Sequence, residues 1–159
     1  MPARYFPIYV NDHLAGATIG VELARRAKRE NEGSELGGFL DELHTELAED
    51  RTELVELMRT LGIRPSKAKM AGGWIAEKLG RLKLNGEVTS YSPLSRLLEL
   101  EGLAGGIEGK RSLWLSLIEI RQSDGRLRDA DLERLVERAT SQRERLEPFR
   151  RAAARDALG

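Results

Sequence analysis

Apolar residues recur along this chain at alternating spacings of three and four, the period of one buried face on a helix. Between residues 35 and 61 the alternation selects Leu40, Leu43, Leu47, Asp50, Leu54, Leu57 and Leu61. Further on it selects Leu97, Leu100, Ala104, Ile107, Arg111, Trp114 and Ile118, and then Leu132, Leu135, Ala139, Gln142, Leu146, Phe149 and Ala153. Near the start it gives Leu14, Ala17, Val21 and Ala24. Four long helices follow from these seams: about 8–30, 35–61, 92–122 and 131–157. A shorter helix is predicted from Pro65 or Ser66 to Leu82.

Stop and start signals bound these segments. Gly33 breaks the chain after the first helix, and Gly62 ends the second. Ser92 is an N-cap with Pro93 at the first helical position, and Asp129 or Asp131 caps the last helix. Pro148 is expected to kink or divide that last helix. The Asn85-Gly86 pair in KLNGEVTSYS leaves a small hairpin open as an alternative there. Alternating spacings over comparable lengths predict an all-α, four-helix bundle in one domain spanning 1–159. The short extra helix lies in a longer crossover, residues 62–91, where Trp74 and Ile75 are expected to cap an end of the bundle or cover its side.

Composition narrows the classes. The chain has 159 residues, 40% apolar, 33% charged and 5% aromatic, a balance typical of amphipathic helices. Basic and acidic residues number 26 each, so no overall field favours nucleic acid or an acidic membrane. Cysteine is absent, which excludes disulfides, thiolate nucleophiles and cysteine-ligated metals. The opening MPARYFPIYVNDHL lacks a signal-peptide core, and no apolar run approaches the roughly 20 residues of a membrane span. These absences predict a cytoplasmic protein. The aromatic start, Tyr5, Phe6 and Tyr9, suits packing on a bundle end or on a partner subunit, so a homo-oligomer or a protein partner fits.

The stretch EGLAGGIEGKRSLW compares with the phosphate-binding pattern G-x-x-x-x-G-K-[ST]. Gly109 and Lys110 fit its end, but Ala104 replaces the first glycine and Arg111 the hydroxyl residue. A helix with a small-residue face fits better. Glycine costs a helix about 0.8–1 kcal/mol relative to alanine, so Gly102, Gly105, Gly106 and Gly109 need a compensation. The first helix offers a matching face of Ala15, Gly16, Gly20 and Ala24. The two helices are therefore expected to pack closely.

Each long seam has one polar interruption near its middle: Asp50, Arg111 and Gln142. Glu108 stands nearby. Either these residues drift to the seam edge and reach water, or they form a buried polar layer whose members satisfy one another. The second reading puts Asp50 within a few ångströms of Arg111 or Gln142. Neither histidine makes a zinc site alone: His13 belongs to a helix-start cluster with Asn11 and Asp12, and His44 follows Asp41 by three on a flank. Glu101 and Glu108 would need a cleft to act as an acid–base pair.

Two long helices, a linking segment and two more long helices, each pair interrupted by polar residues in mid-core, resemble the ferritin-like bundle superfamily. FLDELHTELAEDRTELVELMRTLG looks like that superfamily's second helix. The resemblance implies a glutamate from each of two helices and Glu-x-x-His from each of the others around two metal ions. Those ligand motifs are not intact here. The expected positions fall near Leu47 and Asp50, and near Ala139 and Gln142, while Glu22 and Glu108 could stand for the single glutamates. Glu22, Asp50, Glu108 and Gln142 are thus the metal candidates. The resemblance implies a bundle without an intact di-metal site, acting as a non-catalytic structural, binding or stress-associated protein. The alternatives are an iron- or manganese-dependent oxidoreductase with atypical ligands, and a helical interaction or regulatory module.

Overall fold

A computed structural model describes residues 4–67 and 90–159. Four long helices pack against one another, and no strand occurs among the described residues. They are α1 (Phe6–Glu30), α2 (Glu35–Thr60), α3 (Pro93–Ile120) and α4 (Leu132–Leu158). A single 3-10 turn, Gly125–Leu127, lies between α3 and α4. The short helix and the alternative hairpin expected between α2 and α3, with Trp74 and Ile75, lie outside the described residues.

Local chemistry sets the helix ends. The Ser34 hydroxyl accepts from the Gly37 amide at 3.0 Å and starts α2, and Ser92 with Ser95 forms a reciprocal capping box at α3. The Asp131 carboxylate caps α4. Gly33 and Gly62 adopt φ of 82° and 69°, the left-handed backbone that follows helices α1 and α2. Gly37 is required by space, since a Cβ there would meet the Asn31 carbonyl oxygen at 2.1 Å. Pro148 does not divide α4, which is continuous from Leu132 to Leu158.

Side-chain pairs define the topology. Arg51 reaches Thr18 and Lys28 reaches Asp41, so α1 and α2 are antiparallel. Arg26 pairs with Glu99 and Tyr9 with Ser116, so α1 and α3 are antiparallel as well. Arg121 pairs with Glu133 and Arg150 lies 3.9 Å from Glu101, which runs α4 antiparallel to α3. Glu53–Arg134, Glu49–Arg138 and Glu46–Arg145 do the same for α2 and α4. Every neighbouring pair is thus antiparallel, and the connection between the parallel helices α2 and α3 joins opposite ends of the bundle. Asn11 holds its start, donating to the Arg64 carbonyl and accepting from the Ser66 amide. Asn31, at the other end of α1, donates to the Tyr91 hydroxyl.

The core has two apolar parts. One gathers around Leu40, Leu43, Leu100, Leu103 and Leu146 near the α1–α2 turn. The other gathers around Leu14, Met58, Leu113, Trp114 and Leu132 near the α3–α4 turn. On α2 and α3 the boundary between them falls at Asp50 and Lys110. No described helix is long and apolar enough to cross a membrane.

Candidate functional site

Two alternations of three and four share Leu100, Ile107 and Trp114 on α3. One adds Ala104, Arg111 and Ile118; the other adds Leu103, Lys110 and Leu117. The larger side chains decide the rotation. Leu103 and Leu117 are each 1% exposed, and Ile118 is only partly buried. Lys110, not Arg111, therefore points into the bundle.

Lys110 Nζ lies 2.5 Å from Asp50 Oδ2 and 2.5 Å from Gln142 Oε1. The Gln142 amide donates to the same Asp50 oxygen at 3.1 Å and to Glu46 at 3.0 Å. Asp50 is 3% exposed and Gln142 is fully buried. Arg138 Nε stands 3.4 Å from Asp50 Oδ1, which accepts no hydrogen bond. Arg145 closes the outer edge on Glu46 at 2.7 Å. Burial pushes the Lys110 ammonium below its ordinary pKa, against the opposing pull of Asp50. At Glu46 burial acts upward but is outweighed by hydrogen bonds from Arg145 and Gln142, and its pKa falls.

The structure thus brings Asp50 and Gln142 together in a buried layer and leaves two expected members out. Arg111 turns outward, donating to Thr140 Oγ1 at 3.1 Å and lying 3.3 Å from Glu108. Glu108 is itself mostly exposed. The reason is the α3 rotation just described. Glu22 is also turned away, pairing with Arg25 at 2.8 Å on the surface of α1. Of the four metal candidates, only Asp50 and Gln142 share a site, and a lysine ammonium lies between them. No group of three or more histidine, cysteine, aspartate or glutamate side chains could hold a metal among the described residues. His44 is half-buried on α2. The His13 ring meets Tyr9 edge-on at 4.6 Å, and burial lowers its pKa against the pull of Asp12.

The glycine faces have an unexpected consequence. Helices α1 and α3 do pack, but the glycines do not bring their backbones into contact. A Cβ added at Gly16, Gly20, Gly105, Gly106 or Gly109 would meet nothing within 4 Å. Between Ala15 and Leu23, α1 buries no residue. A cleft of about 170 Å³ remains between the two helices. Gly16, Ala17 and Gly20 line one side, and Gly106 and Gly109 the other. Leu54, Leu103, Ile107 and Trp114 form apolar wall, with Asp50 and Lys110 also lining it and Asp12 and His13 beside them. Trp114 is 1% exposed, and its indole N–H has no acceptor.

A second buried polar cluster lies toward the α1–α2 turn. Glu99 is 3% exposed, with Oε2 at 3.1 Å from Arg26 Nε and Oε1 without a donor. Burial raises its pKa, with Tyr91 and Arg26 opposing. Burial also raises Tyr91 strongly. Asn31 links Tyr91 to Arg96, whose Nε donates to Asn31 Oδ1 at 3.0 Å. Sequence reasoning missed both Lys110 and Glu99. For Lys110 the second alternation was the available signal. For Glu99, adjacent to Leu98 and Leu100, there was none.

Comparison with protein-family models, with curated proteins and with solved structures finds no match.

Proposed function

We propose that this chain is a ferritin-like bundle that works without metals, as a non-catalytic binding or structural protein, with a side-chain cation at the centre of its core. The observation that carries this reading is Lys110 held between Asp50 and Gln142 at 2.5 Å from each. An ammonium there repels an incoming metal cation and already occupies the one buried carboxylate of the layer. The connectivity supports the resemblance: two antiparallel helices, a connection joining opposite ends, and two more antiparallel helices. The metal-dependent alternative loses support because Glu22 and Glu108 face outward, each beside an arginine.

Metal analysis of protein purified without chelator tests the reading. Iron and manganese are expected well below one per chain. Stoichiometric metal that disappears in Asp50→Asn would overturn it and restore the oxidoreductase alternative.

A further inference from the structure

The chain between α2 and α3 begins and ends against α1. Asn11, in the second turn of that helix, donates to the Arg64 carbonyl and accepts from the Ser66 amide. Asn31, its C-cap, donates to the Tyr91 hydroxyl. Residues 68–89, outside the described ones, therefore join two points about 30 Å apart along α1. Their extended reach, about 3.3 Å per residue, is more than twice that span, so the stretch has length to lie against a surface on its way. Its sequence carries the large apolar residues Met70, Trp74, Ile75, Leu79, Leu82 and Leu84.

Two grooves flank α1. The one against α2 is crossed at mid-length by Arg51 to Thr18 and again by Lys28 to Asp41. The one against α3 is crossed by Tyr9 to Ser116 and by Arg26 to Glu99, close to its two ends. Between those crossings its walls are glycines of both helices. Among the described residues, nothing comes within 4 Å of a Cβ added at Gly16, Gly20, Gly105, Gly106 or Gly109. The two helices thus keep unfavourable residues without using them to touch each other. Small residues that hold a groove open make room for bulky side chains from a third element. We propose that residues 68–89 are that element: they lie in the α1–α3 groove, with Trp74 seated against the glycine walls. A segment of the same chain fits better than a separate partner, because both of its ends are already fastened at the two ends of this groove. The proposal rests on connectivity and groove shape, so the metal content of the bundle centre leaves it untouched.

The test is paramagnetic broadening in the full chain. The protein has no cysteine, so a single introduced one carries a single nitroxide label. Gly105→Cys puts the label on the exposed side of α3 beside Gly106, and Thr52→Cys puts it on the exposed side of α2. Amide resonances of residues 70–84 and the Trp74 indole N–H are expected to lose most of their intensity with the label at 105 and to keep it with the label at 52. Ser112→Cys, exposed on α3 two turns further along, is expected to repeat the loss and serves if Gly105→Cys fails to fold. Adding Trp74→Ala to Gly105→Cys is expected to restore intensity across the segment while the helix resonances stay in place. Isotope-labelled chain without nitroxide, mixed with unenriched chain carrying it at 105, is expected to show no broadening of the segment. Full intensity with both α3 labels, equal loss from the α2 label, or undiminished broadening in Trp74→Ala would overturn the proposal. Broadening in the mixture would also overturn it, by seating a second copy in the groove.

Discussion

At mid-height the bundle buries a lysine between an aspartate and a glutamine. Eleven residues earlier on the same helix it buries a glutamate beside an arginine. Both pairs join acid to base across helices, yet they distribute the cost of burial differently. In the middle, both partners are withdrawn from water, with side-chain exposures of 11% for Lys110 and 3% for Asp50. At the end, Arg26 retains 15% while Glu99 retains 4%, and one Glu99 oxygen has no donor. Burial acts against the base in the first pair and against the acid in the second. An acid sheds that cost by taking a proton as pH falls, whereas Lys110 relies on its neighbours. The central pair is therefore the less forgiving of the two.

The largest expected effect is at the centre. Asp50→Leu leaves Lys110 buried without its carboxylate and should cost about 3–5 kcal/mol in denaturant unfolding. Asp50→Leu combined with Lys110→Met should recover most of that loss, giving strong coupling in a double-mutant cycle. The same cycle between Asp50 and Arg111 should be additive, because Arg111 turns to Thr140. Additivity at Lys110 would erase the contrast between the clusters.

Next in size, Arg26→Met should cost about 1–3 kcal/mol at neutral pH, since it leaves a buried acceptor unpaired. That loss should shrink as pH falls, because the buried Glu99 carboxyl then takes a proton. Titrating stability sharpens the comparison further. Glu99 has its native pKa raised above the ordinary 4.5, so the native state holds a proton that the unfolded chain has released. Wild type should therefore lose stability relative to Glu99→Gln as pH rises from about 4.5 through the raised value. Lys110 behaves in the opposite window. Its native pKa is depressed below 10.5, so the unfolded chain binds more protons there and stability rises with pH. Wild type should gain relative to Lys110→Met as pH climbs through the depressed value towards 10.5. The smallest effect lies between the clusters on α3. Gly105→Ala adds a Cβ in open space and should stabilise the protein by about 0.8 kcal/mol, measured by thermal unfolding.

The fold was legible because leucine spacing and end signals agree. Ser92 begins α3 as cap chemistry requires, and Gly62 follows α2 with positive φ. The antiparallel order follows from the lengths and the single long connection. The rotation of α3 was not legible, because Leu100, Ile107 and Trp114 fit two phases equally and only packing against the other helices selects one. That ambiguity exchanged Arg111 for Lys110, while Asp50 and Gln142 were found because their seams allow one phase each. The glycines were visible as a matched face, but sequence could not say whether matched small residues close a gap or keep one open. That depends on the inter-helix distance.

The two asparagines of α1 have a consequence for how the halves of the molecule find each other. Asn11 fastens the residues that leave α2, and Asn31 fastens the residue just before α3. They stand twenty residues apart, about 30 Å along a helix. Helix α1 thereby acts as a splint whose length sets the span of the connection. The entropy of closing a long loop falls on that connection, and both of its anchors belong to a single helix and its C-cap. The two ends of that connection are thus set a fixed distance apart on one helix, and the α2–α4 ion pairs add to the register between the halves.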